Sequence, residues 1–522
     1  MGELAELLLR FGASVDGTKF PNQTSTPLCN ACRNGNWSIV SSLLRKGAEA
    51  AVKKSDGTTP LHSAAFLGSE EVVRLLIESG AEVECPDANG HTALFIAGKT
   101  GNVKVAQALV ENAKVLLAEG ANVNLPARHG RTALHISAQE GRLDAIQLLL
   151  DSGAWVDSQN DAGDTPLHDA TFFRMRNAVQ LLLRHGATPN HRTKRGETPL
   201  CVAAGNEDVQ IMGLLLDAGA VPDQENGAGC TALHVASSFG RAKAIDLLIQ
   251  RGADISRANE LDEGKTALHY SAAQTGEETA VQRLLDQGIP IEISDSHGQT
   301  ALHTAAAQGN VSTVNLLLEC GANASSRDEQ GRTAIHEAAK NGHEPTVRRL
   351  IHLVASSNLF DDKMKTPLHL AAHHGHFDVV SRLRAEGAGT DLPDYRGRTP
   401  LHHAARGGHV DSVQFLLKYG TSPSLRDSKG LTPLHLATRK GQVNVVECLL
   451  ASMSVEDVGI LSREQGTARD VAKKKGNKEI VKLIDKVVSP MDNRTSRVGD
   501  VWDNGRDSED EHEGAPYFCG QY

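Results

Sequence analysis

A threonine followed by proline or alanine returns along the whole sequence, at Thr26, Thr59, Thr92, Thr132, Thr165, Thr198, Thr231, Thr266, Thr300, Thr333, Thr366, Thr399, Thr432 and Thr467. Most intervals are 33 residues, and the exceptions are 40, 35, 34 and 35. A chain of 522 residues is too long for one growing hydrophobic core. A fixed period held over most of that length means units that stack on their neighbours rather than separate globules.

Each unit has a local physical logic. The threonine hydroxyl can cap a helix, and proline in the first turn forfeits an amide that has no intrahelical partner. Leu61 with Ala64 and Ala65, or Leu401 with Ala404 and Ala405, then gives a short helix small enough for close approach. Glycine at 35, 68, 101, 141, 240, 309, 342, 375, 408 and 441 supplies the left-handed conformation that ends it. A second helix follows with apolar residues at helical spacing, such as Val72, Val73, Leu75, Leu76 and Ile77, and closes on Gly80-Ala81. A polar hairpin such as Asp87-Ala88-Asn89-Gly90 leads to the next threonine.

The pattern resembles the ankyrin repeat. TPLH or TALH stands at 59, 132, 165, 231, 266, 300, 366, 399 and 432, with TAIH at 333. The resemblance implies an all-α repeat solenoid of about 14 helix-turn-helix-hairpin units over residues 26–487. A partial N-terminal repeat or cap, 1–25, would precede it, and a disordered acidic tail, 488–522, would follow. Seven extra residues between Thr92 and Thr132 are about two helical turns, so the second helix is expected to lengthen around 101–120 without rotating its apolar face. The opening LAELLLRFGASVD matches the second half of a repeat, so it is either a helical cap or the edge of a longer array. Thr467 to Ala472, followed by Lys473, Lys474, Lys475 and Gly476, reads as a C-terminal cap.

Little in the chain points to catalysis. There is no GxxxxGK[ST], GxSxG or HExxH, and no GxGxxG after a strand. Of 23 histidines, ten are the fourth residue of the anchor tetrapeptide, where the resemblance makes them structural. His369, His373, His374 and His376 form the densest patch, and helical spacing does not make them a zinc site by itself. Cys29 and Cys32 form a lone CxxC; Cys29 takes the anchor histidine's place and Cys32 a core alanine's, so two buried thiols are expected rather than a redox pair. No metal, cofactor or small-molecule substrate is expected, and no enzyme. Eight scattered cysteines suit a reduced compartment, the cytoplasm or the nucleus. No run approaches the length of a membrane span, and a calculated pI of about 6.2 does not favour nucleic acid.

Function is then a matter of surface. In ankyrin repeats the concave face is built from hairpin tips and the exposed end of the first helix, and partner proteins bind there. The resemblance places those positions just before the anchor threonine and in the pair before the helix-ending glycine. In the N-terminal half this gives an apolar set, Phe66, Leu67, Phe172, Phe173 and Phe239. Arg174 stands where the stop glycine is due, so the alternative is an irregular turn that folds one ring inward. In the last five repeats the same positions give a basic set, Arg332, Lys340, Lys365, Arg396, Arg398, Arg406, Lys429, Arg439 and Lys440, suited to acidic segments of a partner or of the tail. The expected function is a monomeric scaffold or adaptor that binds other proteins. The alternatives are the array of a larger channel, ubiquitin ligase or kinase-type signalling protein, and a substrate of asparagine hydroxylation at Asn124 or Asn190. Ser508, in an acidic SEDE context, is a phosphorylation candidate.

Overall fold

The computed structural model describes residues 11, 13–16, 26–116, 122–274, 276, 278–353, 356–463 and 465–488. Among them every regular element is a helix, apart from three isolated bridges. The helices come in pairs, from Pro27–Arg33 with Trp37–Arg45 to Ala468–Lys474 with Lys478–Val488. The chain divides into two compact units, Met1–Pro400 and Leu401–Tyr522. The N-terminal cap lies outside the described residues apart from 11 and 13–16, as does the tail beyond Val488.

The start of each first helix shows what the anchor does. Thr59 is extended, at φ −106° and ψ 167°, which turns its side chain back over the first turn. Its backbone N–H donates to Nδ1 of His62 at 3.1 Å, while its hydroxyl accepts from the His62 backbone N–H. This is a capping box with an imidazole in the usual place of glutamate. Because Nδ1 accepts, the ring proton sits on Nε2. There it faces the carbonyl of His91 in the next hairpin, 2.8 Å away.

The same bridge recurs. In the first unit His135 reaches the carbonyl of Asp164, His168 that of Glu197, His269 that of Gln299, His303 that of Arg332 and His369 that of Arg398. In the second unit His402 reaches Leu431 and His435 reaches Gly466. The acceptor is the residue just before the next anchor. His234 instead meets Arg257, 23 residues on, and His336 meets Leu359 at that same separation as well as Lys365 just before Thr366.

Packing completes what the bridge aligns. Within each unit, first helices pack on first helices of adjoining repeats and second helices on second helices. Ala64, Ala65, Val73 and Leu76 are wholly buried, so each unit leaves apolar sides that only a neighbour can cover. Gly68 ends its helix at φ +83°, and Arg174 and Glu207 take the same conformation, at φ 60° and 54°, where other repeats use glycine. The second helix after Thr92 runs Val103–Leu116, 14 residues against nine for Leu143–Asp151; residues 117–121 lie outside the description.

Burial of the anchor imidazoles has a pH consequence. It holds His135, His168, His336 and His369 down to a pKa of about 4, their carbonyl contacts pulling weakly the other way. An unfolded histidine titrates near 6.5, so the unfolded chain takes up protons that the folded chain refuses as pH falls from there toward 4. Their contribution is therefore intact above about pH 6.5 and is lost with acidification, at roughly 2 kcal/mol per residue by pH 5. Urea midpoints followed by circular dichroism are expected to drop markedly between pH 7 and pH 5. In His168→Asn that drop should shrink by about one residue's share; an unchanged drop would contradict the buried neutral ring.

Candidate interaction surface

The first helices of three consecutive repeats in the first unit end side by side. Pro166–Phe172 ends on Phe172 and Phe173, Pro199–Asn206 on Gly205 and Asn206, and Ala232–Ser238 on Ser238 and Phe239. The ends are tied across the repeats. Arg174 donates to the carbonyl of Asn206 at 2.9 Å, and Arg241 donates through Nε to that of Gly205 at 3.0 Å. These arginines occupy helix-end carbonyls that would otherwise face water.

The left-handed Arg174 therefore keeps the shape of the glycine turn, and neither ring folds inward. Phe172 is 62% exposed and Phe173 42%, in edge-to-face contact with ring centroids 5.2 Å apart. Phe239 is 48% exposed, and the Arg241 guanidinium lies 5.9 Å from its ring centroid. Phe66 and Leu67, at the end of Pro60–Leu67, are also exposed.

Gly205 lies between these aromatic ends. A Cβ built there would meet Val235 at 3.4 Å and the Phe239 ring at 3.8 Å, which are ordinary contacts. Gly98 is different, since its Cβ would press on Ser137 Oγ at 2.6 Å. A helical glycine costs about 1 kcal/mol against alanine, and at 205 packing does not require it. Its effect is to leave the Val235 and Phe239 side chains uncovered by any side chain from position 205.

The basic set divides. Arg332 is a correction to the sequence reading: its side chain is only 11% exposed, 3.3 Å from Asp328 and 3.0 Å from buried Glu337. Arg398 is a second, buried at 7%. Both stand just before an anchor threonine, where the backbone carbonyl is held by the preceding repeat's histidine and the residue is drawn inward. Arg131 shows the same use, pairing with Asp169 at 2.8 Å, although burial still pushes that carboxyl up to about 6. Lys340, Lys365 and Arg396 are half-buried in the first unit, Arg396 lying 5.1 Å over the Tyr395 ring. In the second unit Lys429 and Lys440 are exposed and Arg406 and Arg439 half-buried.

Asn124 and Asn190 are structural staples. Asn190 donates to the Gly219 carbonyl at 2.9 Å and accepts from the Val221 N–H at 2.8 Å; Asn124 makes the same pair with Gly153 and Trp155. Cys29 and Cys32 are fully buried, and burial pushes the Cys32 thiol up to about 12, far from a reactive thiolate. Among the described residues no three His, Cys, Asp or Glu side chains converge as a metal site, and no helix is long and apolar enough to cross a membrane. Ser508 lies outside the described residues.

Among the exposed side chains that escape a reading confined to helix ends and charges are Tyr395, Met364 and Trp155. Tyr395 and Met364 are 49% and 46% exposed on adjoining hairpins, and Trp155 is 68% exposed after its second helix. Met364 had a sequence signal, since it takes the hairpin glycine's place and adopts its left-handed backbone, at φ 56°.

Removing Arg332 would leave Glu337 buried without its cation. Arg332→Ala is expected to destabilise by about 3–5 kcal/mol, and Arg332→Ala/Glu337→Leu by clearly less, in urea denaturation. Equal losses would show that the pair does not carry the effect.

The model of the ankyrin repeat family, in its three-copy form, matches overlapping segments from 1–87 through 175–259 to 371–461. Among solved structures, the ankyrin repeat domain of Bcl-3, described as a unique member of the IkappaB protein family, is 30% identical. The match covers 44% of this chain and 100% of that one, with a TM-score of 0.40. The human ASB11 ankyrin repeat domain is 25% identical over 44% of this chain and 99% of that one, with a TM-score of 0.39. No curated protein matches the sequence. With the family model matching through most of its length, the chain belongs to the ankyrin repeat family.

Proposed function

We propose that this protein is a scaffold or adaptor that binds partner proteins through the exposed ends of its first helices. Ankyrin repeats are in general protein–protein interaction modules. The observation that carries the reading is the aromatic group Phe172, Phe173 and Phe239 around Gly205. Large aromatics held in water at adjoining helix ends supply the desolvation energy on which binding hot spots rest. The core here is filled by alanine, leucine and valine, so these rings do not serve it. Such a site favours a partner that inserts an apolar side chain beside Phe239.

Two substitutions test it from opposite sides. Phe172→Ala/Phe173→Ala removes exposed rings and is expected to change unfolding stability by less than about 1 kcal/mol while abolishing capture of at least one partner in quantitative pull-downs. Gly205→Leu places a side chain over Val235 and the Phe239 ring and should weaken the same interaction at least about tenfold without removing an aromatic. Retention of every partner by both variants would refute this site.

A further inference from the structure

The first helices of the second unit end differently. Their last two positions carry Arg406, then Arg439 and Lys440, then Lys474 and Lys475. The corresponding pairs of the first unit carry a single lysine in Lys99-Thr100 and Lys340-Asn341 and none in Gln139-Glu140, Phe172-Phe173, Gly205-Asn206 and Ala307-Gln308. Cations favour helix C-termini. Yet helices of the same length in the first unit end without them, so the fold does not demand the strip.

Two of the three acids on the last two helices are engaged away from the strip, and the third, Glu479, is exposed in the first turn of Lys478–Val488. Asp470 accepts from Thr467 at the opposite end of its helix, and Asp485 pairs with Arg469. Lys440, Lys474 and Lys475 are exposed, and helices Pro433–Lys440 and Ala468–Lys474 pack on each other, so their cations form one strip.

The same chain contains the complementary charge. Asp507, Glu509, Asp510, Glu511 and Glu513 place five carboxylates in seven residues. Lys478–Val488 packs along the last first helix and is 11 residues long. Its far end is therefore about 16 Å from the strip. The 19 residues from Val488 to Asp507 can span up to about 60 Å, so the acidic segment reaches it easily.

We infer that this cationic strip is a docking site for an acidic peptide, and that its occupant is residues 507–513 of the same chain. Single exposed ion pairs are weak. Several facing pairs on a tether gain from an effective concentration on the order of millimolar, giving a contact that is reversible and salt-sensitive. Phosphorylation of Ser508 would add about two negative charges within the segment and tighten it. An acidic partner would then have to displace the segment. This inference is independent of the aromatic site.

The test uses the full chain and a labelled peptide with the sequence of residues 505–515. At about 50 mM salt, the peptide is expected to bind the chain carrying Glu509→Gln/Asp510→Asn/Glu511→Gln at least about fivefold more tightly than the wild type, whose own segment competes. Adding Lys440→Glu/Lys474→Glu/Lys475→Glu should abolish binding, and peptide phosphorylated at Ser508 should bind more tightly than unmodified peptide. Equal affinity for the wild-type and neutralised chains overturns the occupant; binding that survives charge reversal overturns the strip. Should the reversed variant fail to fold, carbodiimide cross-linking of the wild type decides. Links from the segment to Lys440, Lys474 or Lys475 within one molecule, lost at about 500 mM salt, support the inference. Links spread evenly over exposed lysines, or formed only between differently labelled molecules, overturn it.

Discussion

One buried imidazole per repeat joins two levels of this structure. Its Nδ1 completes the cap of its own helix, and its Nε2–H satisfies a carbonyl of the following hairpin. A ring that did only the first would stabilise one helix; a ring that did only the second would lack a fixed orientation. Together they tie the start of each first helix to the position of the next repeat. Three units replace the imidazole, with Cys29, Phe95 and Cys201, and keep only the threonine cap. In the last one Asp470 closes the box with a carboxylate. The array tolerates these because apolar stacking on both neighbours holds such units in place.

The parts of the fold legible in the sequence are those where one residue type has one physical job. Thr165-Pro166 means a helix start, and Gly309 means a left-handed stop, wherever they occur. Charge did not have one job. Arg332 and Arg398 looked like a continuation of a basic face, because their position belongs to the hairpin. In the folded chain the bridge to the previous repeat draws that position inward, and Arg332 is used on Glu337. Periodicity alone could not distinguish this inward position from the exposed ones two residues earlier, such as Lys363.

The missing glycine at 174 was ambiguous for a related reason. Glycine is the least costly residue for a left-handed turn but not the only one that can make it. Arg174 adopts the conformation and uses its long side chain to bind the Asn206 carbonyl, so a local cost is offset by a tie to the next repeat. The sequence suggested a damaged turn beside two phenylalanines. The structure has an intact turn, and that intact turn is why both rings point to solvent.

These constraints explain where the array can change its binding character. The anchor, the residue before it, the small residues of the first helix and the left-handed stop are each fixed by a cap, a bridge, a close contact or a backbone conformation. The two residues before the stop carry no cap, no bridge and no left-handed backbone, and they range from exposed to half-buried. They can be phenylalanine, glycine or histidine in the first unit, and arginine or lysine in the second, without changing the local design. Surface chemistry can therefore vary from repeat to repeat at small cost to stability, which lets one fold carry exposed aromatic rings in one unit and exposed lysines in the other.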